Sequence, residues 1–136
     1  MELVVVTGGG RAPAWVDEAC ADWGRRIQRT FPFKLVDKLP KLNGRARVVA
    51  LDERGEERTS EGFAELLEAG VRAGAHPLVF VIGGPYGLDA EVRAQAWKTI
   101  RLSTLVFNHA VARVVLVEQI YRACAIRSGS PYHHGD

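Results

Sequence analysis

The chain ends on Ser128-Gly129-Ser130-Pro131-Tyr132-His133-His134-Gly135-Asp136, a polar tail with one aromatic ring and two imidazoles. A tyrosine in such a tail can stack on a nucleobase, and a histidine can touch phosphate or move a proton near neutral pH. Taken alone, the same stretch is an ordinary unstructured end. Adjacent histidines raise the question of a metal, but no cysteine-rich cluster or HExxH spacing accompanies them, and no metal is expected. Further back, Gly83-Gly84-Pro85-Tyr86-Gly87 follows an apolar run and precedes a helical pattern. Ligands of open α/β sheets bind beyond the carboxyl ends of strands, and glycines there let backbone approach them. The motif is neither GxGxxG nor a Walker loop, and a turn demanded by geometry alone explains it equally well. A third stretch, Leu102-Ser103-Thr104-Leu105-Val106-Phe107-Asn108-His109, offers backbone groups for a heterocycle edge such as adenine, apolar walls from Leu105 and Phe107, and an N-cap in Asn108. No nucleophile stands out. Ser103, Ser128 and Ser130 lack a GxSxG setting and Cys124 lies mid-helix, so any chemistry rests on a reactive cosubstrate and on positioning.

These segments need elements to hold them. Glu2–Thr7, Phe33–Asp37, Val48–Leu51 and Leu78–Ile82 read as strands, and a fifth is expected near Ser103–Phe107. Helical spacing is expected over 14–29, where Val16, Ala19, Cys20, Trp23 and Ile27 make one apolar stripe. It recurs from a Thr59 or Ser60 cap to about Ala73, over 90–98, and over 110–126. Alternation of this kind gives an α/β fold with a mostly parallel sheet flanked by helices, in a single domain over 1–136. Only Leu39 to Ala46 separate the second and third strands, fewer than the dozen or so residues of a usual parallel crossover. Either those strands meet differently or an extended loop crosses without a helix. The last helix carries only Arg113, Glu118, Gln119, Arg122 and Arg127 as polar residues between Val111 and Arg127. Such a helix must be packed deeply or shared with a second subunit, and the shared interface is the expectation for so small a protein.

Composition bounds the class. The chain has 136 residues, 47% hydrophobic and 25% charged, as in soluble globular proteins. No stretch is apolar for the roughly 18 residues a membrane helix needs. Met1-Glu2-Leu3-Val4 opens into a strand without signal-peptide features, so a cytoplasmic setting is expected. Cys20 and Cys124 lie in helical patterns far apart and are expected to be buried thiols without a disulfide. The formal charge of +2 hides a split. Eight basic residues between Arg25 and Arg47 stand against the single acid Asp37, and Asp52 to Glu68 is mainly acidic. The basic half suggests a face for a polyanion, although a solvated helix face followed by a charged loop is the plainer reading.

Read together and in order, Phe80-Val81-Ile82-Gly83-Gly84-Pro85-Tyr86-Gly87-Leu88, Leu102-Ser103-Thr104-Leu105, His109 through Arg113-Val114-Val115-Leu116-Val117-Glu118-Gln119-Ile120-Tyr121-Arg122-Ala123, and Pro131-Tyr132-His133 resemble the RlmH (YbeA-like) family of SPOUT methyltransferases. The similarity is dense over the C-terminal half and looser at the first strand and helix. It implies a C-terminal trefoil knot, a homodimer, and S-adenosylmethionine as methyl donor. The activity implied is methylation of N3 of a pseudouridine in a stem-loop of 23S ribosomal RNA, on the assembled ribosome. By position, Leu51, Gly83 and the run Leu102, Ser103, Thr104, Leu105, Val106 and Phe107 would line the donor pocket, with Gly84 and Gly87 shaping its loop. His109, Arg122, Tyr132 and His133 would be the substrate-side, catalytic positions, the tail of one subunit reaching the other's cofactor. The chain departs from the family pattern twice: a helix between the second and third strands is missing, and His134 stands where Lys or Arg usually follows Tyr-His. A SPOUT enzyme for another RNA position and a non-catalytic ribosome-binding or assembly factor are the alternatives.

Overall fold

The computed structural model describes residues 1–83 and 87–134. Val-rich runs that alternate between two apolar faces form the strands β1 (Leu3–Val6), β2 (Phe33–Val36), β3 (Arg47–Glu57), β4 (Leu78–Ile82) and β5 (Lys98–Arg101), paired in parallel in the order β2-β1-β4-β3-β5. One face carries Leu3, Val5, Val49, Leu78, Phe80 and Ile100, and the other Val4, Val6, Val48, Ala50, Val79 and Val81. Burial on both sides explains why these strands read as unbroken hydrophobic runs.

Handedness then places the helices. The steps β1 to β2 and β3 to β4 run the same way along the sheet, so right-handed crossovers put α1 (Ala14–Ile27) and α2 (Ser60–Arg72) on one face. The steps β4 to β5 and β2 to β3 run the other way. Their connections, α3 (Ala90–Gln95) and the link 37–46, cover the opposite face with Val92, Leu39 and Leu42. The short join is thus resolved by an extended crossing between strands that are not neighbours, with two leucines doing the covering that a helix would do. α4 (His109–Ser128) returns to the first face and packs on both α1 and α2.

Local chemistry sets the helix ends. Thr59 Oγ1 accepts from the Gly62 N–H at 3.0 Å, and Asn108 Oδ1 from the Ala110 N–H at 2.8 Å. α4 stops at Gly129, whose φ of 74° permits a Schellman turn: Gly129 N–H bonds Ile126 O and Ser130 N–H bonds Ala125 O. That turn sends the tail back along α4.

Two expectations are corrected. The fifth strand is 98–101 rather than Ser103–Phe107, and α3 ends at Gln95 instead of continuing to Lys98. The Trp97 N–H bonds Val48 O at 2.7 Å and starts the ladder there. Leu105 and Val106, strand-like by composition, are 72% and 73% exposed in a loop. β-propensity measures fit to a half-buried sheet surface, and this segment has no neighbouring strand to meet. The last helix, expected to be mainly shared, buries Leu116, Val117, Ile120, Ala123 and Cys124 within its own chain and leaves Val111 exposed.

Candidate active site

β4 and β5 end beside the point where β3 bulges after Leu51, and the segments around them line a cleft of about 550 Å³. Its size lies in the usual range for small-molecule sites. Leu51 before the bulge and Ile82 at the end of β4 line it, with Gly83, Gly87 and Leu88 after β4 and Leu102, Ser103, Leu105, Val106 and Phe107 after β5. His109 and Ala112, on the first turn of α4, close the end. A Cβ on Gly10 would sit 3.9 Å from His109 Nε2, so the glycine loop after β1 borders the same histidine.

The cleft brings together Leu51, Gly83, Gly87, Leu102, Ser103, Leu105, Val106 and Phe107, the expected donor positions, with His109 from the expected substrate-side set. Thr104 is exposed and does not line it, while Ser103 Oγ turns inward along the loop to accept the Leu105 N–H at 3.0 Å. Gly84 lies outside the described residues. Asp52, Arg54, Arg93 and Arg101 also line the cleft and are not among the expected site residues. The pairing of β3 with β5 shifts between Leu51 and Glu56, and residues 52–55 bulge over the cleft. Asp52 accepts the Arg54 N–H at 2.9 Å and pairs with Arg93 of α3 at 3.2 Å. The Arg54 backbone bond, then its guanidinium and that of Arg93, hold the Asp52 carboxyl below its ordinary range. This contribution to stability is therefore present above that ordinary range and is lost only as pH falls through the lowered value. The strand-end rule, applied to the strand ending at Leu51, could have found Asp52; nothing local links it to Arg93.

Arg122, Tyr132 and His133 meet elsewhere. Arg122 lies about 20 Å along α4 from His109, at about 1.5 Å per residue. Arg122 Nε and Nη2 donate to Glu118 Oε2 at 3.2 and 2.9 Å, and the Tyr132 hydroxyl donates to the same oxygen at 2.7 Å. Burial, then this bond to Glu118, pushes the Tyr132 phenol up. Arg122 Nη1 stands 3.1 Å from His133 Nδ1, and His133 Nε2 2.8 Å from Glu61 Oε1. A guanidinium only donates, so Nδ1 accepts and Nε2 carries the proton given to Glu61. His133 has no free lone pair in this arrangement. The hydrogen bond from His133 lowers the Glu61 pKa.

Two other expectations take definite form. Cys20 and Cys124 are free and buried, and burial pushes the Cys124 thiol up to about 11, so it is a neutral, poor nucleophile at pH 7. The basic stretch does not form one face. Arg25 and Arg26 pair with Asp22 and Lys34 with Glu2, whereas Lys38, Lys41 and Arg45 are exposed on the link across the far face of the sheet. The acidic stretch is largely consumed by pairing, Glu56 with Arg58, Glu57 with Arg101 and Glu68 with Arg127.

A family profile described as "Predicted SPOUT methyltransferase" matches residues 1–133. The chain belongs to the SPOUT methyltransferase family. Curated relatives agree with it over their full length. The chain is 48% identical to the ribosomal RNA large subunit methyltransferase H of Geotalea daltonii over 153 aligned positions, covering 98% of this chain and 100% of that protein. It is 37% identical to the protein of the same name from Trichlorobacter lovleyi, with the same coverage. With that of Polynucleobacter asymbioticus it shares 38% over 146 positions, covering 98% and 99%. This SPOUT methyltransferase has 136 residues against 153 aligned positions, so these relatives carry internal segments that it lacks. Leu39 and Leu42 show how economically one connection can be made. No helix among the described residues is long and apolar enough to cross a membrane.

Proposed function

We propose that this protein transfers a methyl group from S-adenosylmethionine to N3 of a pseudouridine in a 23S ribosomal RNA stem-loop, acting as a cytoplasmic homodimer on the assembled ribosome. The cleft carries the reading: a site of small-molecule size lined by Gly83, Gly87, Leu102, Ser103 and residues Leu105 to Phe107, in a chain of methyltransferase family. The relatives' names supply the ribosomal RNA. The residues fit the donor. Leu51, Leu105 and Phe107 offer apolar surface to an adenine, the backbone of 102–107 offers donors and acceptors to its edge, and Gly83 and Gly87 keep the loop close.

When bound, the donor supplies an electrophilic methyl on a sulfonium. What remains for the chain is to exclude water, orient the attacking nitrogen and help N3 lose its proton. Orientation of two reactants contributes roughly 7–11 kcal/mol to such a step. His109 at the end of the cleft faces the incoming base. Arg122 stabilises the uracil anion and His133 takes the N3 proton, which requires the tail to leave Glu61 and Arg122 so that an imidazole nitrogen is freed. Because Arg122 lies far from its own cleft, the tail of one subunit serves the cleft of the other. Replacing Tyr132 by Phe or His133 by Ala is expected to lower turnover on 70S ribosomes, for His133 by about 100-fold or more, the range usual for a lost acid–base group. Calorimetric affinity for S-adenosylmethionine should stay unchanged; normal turnover removes both residues from the mechanism.

The homodimer is supported by apolar surface that one chain leaves open: Trp15 at 56% exposure on the first turn of α1, and Val111 on the first turn of α4. Those turns are adjacent, since Arg113 reaches Asp17 at 3.9 Å. Sedimentation equilibrium is expected to give a dimer, and Trp15→Arg to shift it to monomer by at least tenfold in dissociation constant; a monomeric parent protein refutes the dimer. The family's trefoil knot belongs to the same reading. In single-molecule pulling it would leave the unfolded chain shorter than its full contour, and a full-length extension would exclude it.

The test of the whole is calorimetric titration with S-adenosylmethionine followed by tritium transfer to unmodified 70S ribosomes. Saturable binding with label at one pseudouridine N3 is expected. Absence of binding by the folded protein, free or with ribosomes, overturns the enzymatic reading.

A further inference from the structure

Beside the cleft lies a second cavity, about 180 Å³, whose lining is polar at Arg58, Ser60, Arg101 and Gln119 and apolar at Phe63, Ile100 and Val115. Arg101 and Leu102 border both spaces. We propose that this cavity is the seat of a backbone phosphate of the RNA substrate, the phosphate flanking the nucleotide whose base enters the cleft. The inference rests on the proposed reading of the chain as an RNA methyltransferase.

The charge arrangement points to an anion. Arg58 and Arg101 both line this cavity, and a guanidinium has five N–H donors, more than the bonds either of them makes among the described residues. Arg58 Nη1 donates to Gly62 O at 3.2 Å and Nη2 pairs with Glu56 at 3.3 Å; Arg101 Nη2 pairs with Glu57 at 3.2 Å. Those carboxylates are 63% and 58% exposed, whereas the Arg58 and Arg101 side chains are 19% and 31% exposed. Neither carboxylate lines the cavity, so the charged groups that border it are the two arginines. Its volume is about six times the roughly 30 Å³ share of a liquid water, room for a phosphate group and its hydration. The first turn of α2, a 13-residue helix, borders the same space and favours the same sign of charge.

Covalent connectivity identifies the source. A base held in the cleft brings its own sugar and phosphates with it, and the shared Arg101–Leu102 wall puts the cavity next to that backbone. Phosphate contacts of this kind position the substrate and carry no sequence information.

The experiment uses full-length protein, Arg58→Gln, and unmodified 70S ribosomes with tritiated donor over a salt series. Arg58 lies outside the donor cleft, so kcat and donor affinity are expected to hold. The KM for ribosomes should rise about tenfold, and the salt slope of log KM should fall by about 0.7, the value for one phosphate contact on a single strand. Arg58→Lys, which keeps the charge but loses the planar fork, should recover only part of the loss. Inorganic phosphate should inhibit the parent protein competitively against ribosomes and inhibit Arg58→Gln less, which also shows whether free phosphate alone occupies the site. An unchanged KM and slope in folded Arg58→Gln overturns the proposal, as does a fall in kcat or in donor affinity instead. If Arg58→Gln does not fold, inhibition of the parent by phosphate that is not competitive with ribosomes overturns it, and competitive inhibition weakened by Arg58→Lys supports it. Failure of the parent to label ribosomes sinks the functional reading alone. The cavity is then judged by ³¹P line broadening of inorganic phosphate, which supports it if weakened by Arg58→Gln or Arg58→Lys and overturns it if absent or unchanged.

Discussion

Alanine at position 83 is expected to abolish measurable binding of S-adenosylmethionine, a loss of at least 100-fold by calorimetry, in a protein that still folds. A Cβ built on Gly83 lies 2.8 Å from the carbonyl carbon of Gly87, 3.0 Å from Leu88 N and 3.1 Å from Gly87 Cα. Non-bonded carbons rest at about 3.5–4.0 Å, and all three obstacles are backbone, so no side chain can swing aside. The loop itself must move. Gly83 and Gly87 both line the cleft, so the movement changes the wall that would face the donor. Gly87 cannot easily absorb it, because its φ of 85° already fixes the return of the loop in a region most residues avoid. A donor affinity within twofold of the parent's would show that the close approach does not shape the pocket.

The second large effect is on stability. Gly55→Ala is expected to destabilise the fold by about 3 kcal/mol, in the range of severe single substitutions, and to lower Tm by on the order of 10 °C. A Cβ there would stand 2.6 Å from the Ile100 carbonyl carbon and 2.8 Å from its Cα and N, the backbone of β5 itself. The bulge at 52–55 depends on this approach, and the bulge carries Asp52 and Arg54 over the cleft. Loss of the Asp52–Arg93 pair should therefore accompany the loss of stability. Gly44→Ala is the control: nothing lies within 4 Å of its Cβ, and its Tm should shift by less than about 2 °C. Equal thermal melts for the two variants would refute the account of Gly55.

Much of the architecture is local and was legible for that reason. The Val-rich runs at 3–6 and 78–82 are strands because both faces are apolar, and Val16, Cys20 and Ile27 mark a helix because their spacing makes one stripe. Thr59 and Asn108 cap their helices through atoms two or three residues away. The ordered glycine loop, 102–107 run and tail also told the family. By contrast, Lys98-Thr99-Ile100-Arg101 has nothing in its own composition that outranks Leu105-Val106-Phe107 as a strand. The decision was made by β3, whose edge was free to pair with the first and not with the second.

What the sequence determined by itself was therefore the set of elements, their alternation and the family, since each depends on neighbours along the chain or on motif order. Tertiary structure alone decided that Leu39 and Leu42 cover a sheet face, that Asp52 meets Arg93, that Arg58 and Arg101 share a cavity, and that Arg122, Tyr132 and His133 gather on Glu118 and Glu61 rather than at the cleft of their own chain. The physical reason is one of range. Caps and stripes are fixed within a few residues, while charge pairing and enclosure depend on which distant segments the crossovers bring within about 4 Å.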